Sequence, residues 1–270
     1  MTCESTDAEI AHYPFRWGAA SDKGKVRAEN EDSFVIEPEA ALFLVADGIG
    51  GHRGGRLAAD IVAEDLPVMI ENKLTELRSS RPGPVRILLK QTISEQNRQL
   101  VMEGTSETGY KGMGATLVLA LLRNGRAYIA NLGDSRMYRY RKGRLRQLSK
   151  DHSVVSELVS EGKITPEEAE NHSAANQITR YVGMEDEQVS PHVRSFALKQ
   201  DDRLLLCTDG LTGAVDDERI AAILDSSADC QAACEALVDA ANAAGGHDNI
   251  TVIVLDCLAR SNHRSQRTGS

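Results

Sequence analysis

Four aspartates carry the chemical signal of this sequence. Asp47 follows the apolar run LFLVA, Asp134 follows YIANLG, Asp209 follows RLLLCT, and Asp248 precedes NITVIVL. Each sits at the end of an apolar strand with Gly or Asn beside it. Rigid scaffolds present functional groups in such strand-end positions. A lone strand-end Asp reads equally well as a turn former bonded to its own backbone. Four in one chain, two of them in an Asp-Gly pair, favour a shared task. Carboxylates that converge repel one another unless a cation lies between them, and Mg²⁺ or Mn²⁺ takes carboxylate, carbonyl and water oxygens.

The stretch after Asp47 supports this. Gly48 lets a backbone carbonyl approach an ion, and the glycines at 50, 51, 54 and 55 let the loop bend away. A nucleotide-phosphate loop is the rival reading. GIGGHRGG fits neither G-x-G-x-x-G nor the P-loop spacing, and the rival fails. Upstream, KGKVRAENED places Arg27 before Glu31 and Asp32. Arg27 reads either as a solvated surface charge or as a planar fork suited to bidentate phosphate contact.

Positioning these residues is the work of the surrounding elements. Apolar spacings of three and four predict helices at about 56–78 and 84–104, with Pro67 kinking or splitting the first. Residues 116–149 read as a β-meander with hairpin turns at Asn124-Gly125 and Lys142-Gly143. Two short helices follow, the second capped by Thr165 with Pro166 and Glu168. A strand precedes Asp209, helices are expected at about 216–226 and 229–244, and a last strand follows Asp248. Strands in groups and helices in pairs predict an α+β domain with antiparallel sheets flanked by helix pairs. No internal repeat and no low-complexity segment is present, so one domain is the simplest organisation.

Composition excludes several classes. The net charge of −9 and the single Trp disfavour a nucleic-acid partner, and with it a two-metal nuclease. No apolar run reaches the ~20 residues of a membrane span, and the first residues lack the pattern of a secretory signal. Five scattered cysteines fit a reducing cytosol and a cytoplasmic protein. Cys230 and Cys234 lie one helical turn apart with no partners for zinc, and read as core. None of the five stands in the Cys-x₅-Arg arrangement of a thiol phosphatase.

In order along the chain, SDKGKVRAENEDSF, VADGIGGHRGGRLAA, GMGATLVLALL, ANLGDSRMYRYRKGRLRQLSKDHS, LLLCTDGL and GGHDNITVIVLD resemble the bacterial metal-dependent serine/threonine protein phosphatases of type 2C. The match covers about Trp17 to Asp256. The resemblance implies a four-layer α/β/β/α sandwich of two packed antiparallel sheets flanked by helix pairs. It implies residues 17–257 as the catalytic domain after an extension at 1–16, with a flap at about 149–183, while the polar composition of 258–270 reads as a disordered tail.

The same resemblance implies two Mn²⁺ or Mg²⁺ ions and a third, weaker one. Asp47 would bridge the pair and Gly48 would offer its carbonyl. Asp209 and Asp248 would complete the second ion, and Asp134 would hold the third with Asp209. Arg27 would bind the substrate phosphate, while Glu31 and Asp32 order metal waters. The implied reaction is hydrolysis of phosphoserine and phosphothreonine in proteins by a metal-bridging hydroxide, reversing a bacterial Ser/Thr kinase. The alternative is a catalytically inactive relative that serves as a binding module, which loss of the carboxylates would favour; all four are present. Two departures stand out. Ile49 stands after Asp-Gly where eukaryotic members carry a general-acid His, and His52 reads either as a leaving-group acid or as an exposed loop residue, so the resemblance leaves that acid unassigned. The segment NHSAANQITRYVG lacks an arginine that often precedes this part of the flap.

Overall fold

The computed structural model describes residues 14–50, 53–79, 81–106, 110–186 and 189–258. The chain begins with β1 (Phe15–Asp22), β2 (Asp32–Glu37) and β3 (Leu42–Ile49), followed by helices α1 (Arg53–Glu76) and α2 (Pro82–Ser106). Next come β4 (Gly114–Ala115), β5 (Leu117–Arg123), β6 (Arg126–Leu132), β7 (Arg136–Arg141) and β8 (Arg144–Gln147). Two short helices, α3 (Val154–Ser160) and α4 (Pro166–Glu170), lead to β9 (His192–Ala197) and β10 (Arg203–Cys207). The C-terminal part holds α5 (Asp209–Thr212), α6 (Asp217–Ser226), α7 (Cys230–Ala243) and β11 (Ile250–Cys257).

These strands form two antiparallel sheets. One has the order β1-β11-β10-β7-β8, the other β2-β3-β5-β6-β9 with β4 attached to β3. Alternation along β3 shows how the sheets stack. Leu42, Leu44 and Ala46 enter a core shared with α1 and α2, whereas Phe43 and Val45 enter the core between the sheets. On β11, Ile253 and Leu255 face that central core, and Val252 and Val254 face α6 and α7. Successive strand side chains point to opposite faces, so strands that are apolar on both faces require layers on both sides. The result is the α/β/β/α sandwich. Leu42 to Val45 are fully buried, at roughly 1.5–3 kcal/mol each, which fixes the strand that carries Asp47.

Helix ends follow local chemistry. Asp216 caps α6 through the Arg219 N–H, and Asp229 caps α7 through the Ala232 N–H. Thr165 and Glu168 close the expected capping box on α4. Gly245 and Gly246 adopt positive φ and end α7.

Two expectations need correction. Pro67 does not split the first helix, since α1 runs unbroken over 24 residues with Pro67 inside it. Buried Ala63, Leu66 and Ile70 hold that stretch against the sheet, outweighing the one backbone bond a proline removes. The 116–149 segment is not a single meander. β5 and β6 pair in one sheet and β7 and β8 in the other, so the chain crosses between sheets at Gly133–Ser135, carrying Asp134 across. Both hairpin turns are present, with positive φ at Asn124, Gly125, Lys142 and Gly143. Within the terminal segments, residues 1–13 and 259–270 lie outside the described residues, as does His52.

Candidate metal centre

The site lies where the two sheets end together. Asp32 on β2 stands directly opposite Asp47 on β3. Asp209 opens α5 immediately after β10, and Asp248 lies just ahead of β11. Asp134 occupies the crossing between β6 and β7. The fold therefore brings Asp32, Asp47, Asp134, Asp209 and Asp248 together from segments up to 216 residues apart.

Hydroxyls and an amide lock the two sheets to each other here. The Thr208 hydroxyl donates to Asp32 Oδ2 (2.9 Å) and accepts from the Thr251 N–H (3.0 Å). Thr116 Oγ1 accepts from the Asp47 N–H (3.0 Å) and lies 2.6 Å from Ser135 Oγ, next to Asp134. Asn249 Oδ1 accepts from the Glu31 N–H (2.8 Å), while its Nδ2 donates to the carbonyls of Lys23 (3.0 Å) and Glu29 (2.9 Å). One side chain thus fixes the loop that carries Arg27 and Glu31. Asn249 and Thr208 lie within the HDN and TDG motifs, yet sequence reasoning gave roles only to their aspartates.

Close backbone approach explains two glycines. A Cβ on Gly48 would overlap the Gly55 backbone, and one on Gly210 would overlap the Asn249 carbonyl. Gly48 also donates its N–H to the Glu31 carbonyl (3.2 Å). These contacts pack the start of α1 and the β1–β2 loop around Asp47.

The electrostatics demand a counter-charge. Burial, then the charges of Asp32, Asp209, Asp134 and Asp248, hold the Asp47 carboxyl well above the ordinary range. Burial pushes Asp32 up to about 7, opposed by hydrogen bonds from Thr251 and Thr208 and aided by Asp209 and Asp248. Asp134 also rises to about 7, from burial and then Asp209 and Asp151. Asp209 rises through burial and Asp248, although a hydrogen bond with Asp47 pulls it down. Asp32 Oδ1, Asp134 Oδ1 and Asp209 Oδ1 are buried without a hydrogen-bond partner. Buried carboxylate oxygens that repel and lack donors are the donor set of a hard cation. Among the described residues no three His, Cys, Asp or Glu side chains close around one point. An ion held here would take few carboxylates and would complete its shell with carbonyl and water oxygens, the manner in which Mg²⁺ is commonly held.

Arg27 stands at the rim, its Nη2 2.6 Å from Asp248 Oδ2, with the side chain 52% exposed. The segment implied as a flap joins the same end of the sandwich. His152 gives its N–H to the Gly133 carbonyl (2.9 Å) and its Nδ1 accepts from the Gly133 N–H (3.1 Å). The His152 carbonyl accepts from the Thr179 N–H (2.8 Å), and Val182 bridges Ala115. In the sequence only the DHS neighbourhood of His152 hints at this role. A separate cavity of about 640 Å³, lined by Phe15, Glu39, Leu74, Leu122 and Arg123, opens at the far end of β3 and includes none of these residues.

Residues 24–243 match the family profile described as Protein phosphatase 2C. The chain is 36% identical over 249 residues to the serine/threonine phosphatase stp of Listeria welshimeri, spanning 91% of this chain and 95% of that protein. The crystal structure of serine/threonine phosphatase Stp1 from Staphylococcus aureus superposes with a TM-score of 0.81 at 31% identity, over 95% of this chain and 99% of that one. The catalytic domain of serine threonine protein phosphatase PstP, solved in complex with two manganese ions, superposes with a TM-score of 0.76 at 34% identity, over 92% and 100%. With this match across most of its length and the carboxylate cluster at the end of its sandwich, the chain belongs to the protein phosphatase 2C family.

Proposed function

We propose that this chain hydrolyses phosphoserine and phosphothreonine in proteins at a dinuclear divalent-metal centre. The observation that carries the reading is the convergence of five aspartates, three with buried oxygens that no protein donor reaches. In our assignment Asp47, the Gly48 carbonyl, Asp209 and Asp248 would hold the two ions, Asp47 being shared between them. Asp134 with Asp209 would take a third ion, and Mn²⁺ and Mg²⁺ both suit the oxygen set. The bound ions supply a water of lowered pKa and offset the charge that develops on the phosphoryl oxygens.

The chain's own residues do the positioning. The Arg27 fork meets two phosphoryl oxygens, turning from Asp248 to do so. Glu31 and Asp32 would order the waters of the ion shells, and Thr208 fixes the orientation of Asp32. Phosphoryl transfer needs little beyond positioning and electrostatic stabilisation. Among the described residues no cysteine takes part: Cys207, Cys230, Cys234 and Cys257 are buried and burial raises their thiols. His52 remains our candidate for protonating the departing serine or threonine oxygen.

Among the described residues no helix is long and apolar enough to cross a membrane, and we place the enzyme in the cytoplasm opposite a Ser/Thr kinase. The test is phosphate release from a phosphothreonine peptide with Mn²⁺, then with excess EDTA. Release that stops on chelation supports the reading. Folded protein that releases nothing at any Mn²⁺ concentration would make the inactive binding module the better account.

A further inference from the structure

The loop between β1 and β2 has a charge opposite to that of the chain. The protein carries a net charge of −9. Yet residues 23–31, KGKVRAENE, carry three cations, Lys23, Lys25 and Arg27, against two acids, Glu29 and Glu31, and the three cations are exposed. Val26, between two of the cations, is 63% exposed. Among the described residues only Arg27 of the three forms an ion pair within the chain.

This loop is held firmly. The Gly246 carbonyl accepts from the N–H groups of Lys25 (2.7 Å) and Val26 (3.2 Å). Asp22 Oδ1 accepts from the Gly24 N–H (2.8 Å), and Asn249 bonds the carbonyls of Lys23 and Glu29. Gly24 has a positive φ of 75° and lies so close to the Asp248 carbonyl that a Cβ would overlap it. Side chains displayed from such a frame lose little backbone freedom when they meet a partner.

Arg27 fixes where that partner lies. Lys25 is two residues from it, at most about 7 Å along the chain, and an extended peptide advances about 3.3–3.6 Å per residue. A phosphoresidue seated on Arg27 therefore brings its first to third neighbours alongside Lys25 and Val26. Lys23, Lys25 and Val26 all precede Arg27 in the loop, so acidic neighbours gain only on the side of the phosphoresidue that faces them.

We propose that Lys25, with Val26 and Lys23, forms a cationic lip that selects phosphoprotein segments carrying acidic residues on one side of the phosphorylated residue. The proposal rests on the reading of Arg27 as the phosphate anchor. A solvent-exposed charge pair contributes modestly, so each charge met changes kcat/KM about twofold to fivefold, and salt near 1 M removes most of the effect.

The experiment measures kcat/KM on four phosphothreonine peptides, with two Glu on the N-terminal side, two Glu on the C-terminal side, Ala on both, or Lys on both. Wild type and Lys25→Glu are compared by the ratio of each peptide to the Ala peptide. That ratio is internal to each preparation, so a partly folded variant does not distort it. The proposal expects one Glu orientation to exceed the Ala peptide severalfold in wild type, and Lys25→Glu to abolish or invert that ratio. It is overturned if neither orientation exceeds Ala, or if the preference survives unchanged in Lys25→Glu. Binding of anionic vesicles by wild type without any peptide preference would assign the lip to a lipid surface instead and overturn it too. Failure to cleave any of the four peptides would overturn the phosphatase reading itself, and this inference with it.

Discussion

Asp32→Asn removes one charge from the carboxylate cluster while keeping the side chain's shape. Asp32 is 5% exposed, with one oxygen bonded to Thr208 and the other without a partner. Burial first, then Asp209 and Asp248, raises its carboxyl from 3.8 to about 7. Without metal, the folded chain keeps this proton up to about pH 7, whereas the unfolded chain releases it near pH 4. Between those values the folded state binds more protons, so wild-type stability falls as pH rises, at up to about 1.4 kcal/mol per pH unit. An amide does not ionise and avoids that loss. Urea unfolding in EDTA should therefore show the variant gaining on wild type by about 3 kcal/mol between pH 5 and pH 8. Added Mn²⁺ should reverse the order at pH 8, because a bound cation stabilises the ionised wild type. A wild-type-to-variant difference that stays constant with pH in EDTA would refute the claim that buried, mutually repelling carboxylates dominate the site's energetics.

Arg27→Ala should raise KM for a phosphopeptide by about tenfold or more, the loss of a charge-assisted contact, with a smaller change in kcat. An unchanged KM would return Arg27 to the solvated rim. His152 is pushed down to about 4, first by burial and then by Arg180, His192 and Lys150, so its Nδ1 stays free to accept from Gly133 across the neutral range. His152→Ala leaves a buried N–H unpaired, at about 1–3 kcal/mol, and should lower the melting temperature. His152→Asn supplies an acceptor oxygen and should recover part of that loss; equal loss in both variants would deny the bond its role.

Much of this architecture is legible along the chain because it is local. The caps at Thr165, Asp216 and Asp229, the positive-φ turn at Asn124-Gly125 and the apolar spacing of α1 and α2 are all set by neighbouring residues. The four aspartates were legible for the same reason, each standing next to an apolar run. What the sequence hides is long-range. Asp32 opposite Asp47 depends on strand register, and nothing local distinguishes β6–β7 from one more hairpin, although the chain changes sheet there. Asn249 organises a loop more than 200 residues away in sequence, and its single Asn carries no periodic signal. Pro67 does not split α1 because tertiary packing outweighs a helix breaker when the flanking residues are buried.

The most direct test of the metal-centre assignment is calorimetric titration of Mn²⁺ into the metal-stripped protein, with wild type and Asp209→Asn compared at pH 8. Wild type is expected to bind at least two ions, and the variant to lose at least one of them while remaining folded. Wild type that binds no Mn²⁺, or a folded variant that matches it in stoichiometry and affinity, would contradict the assignment of these aspartates to a metal centre.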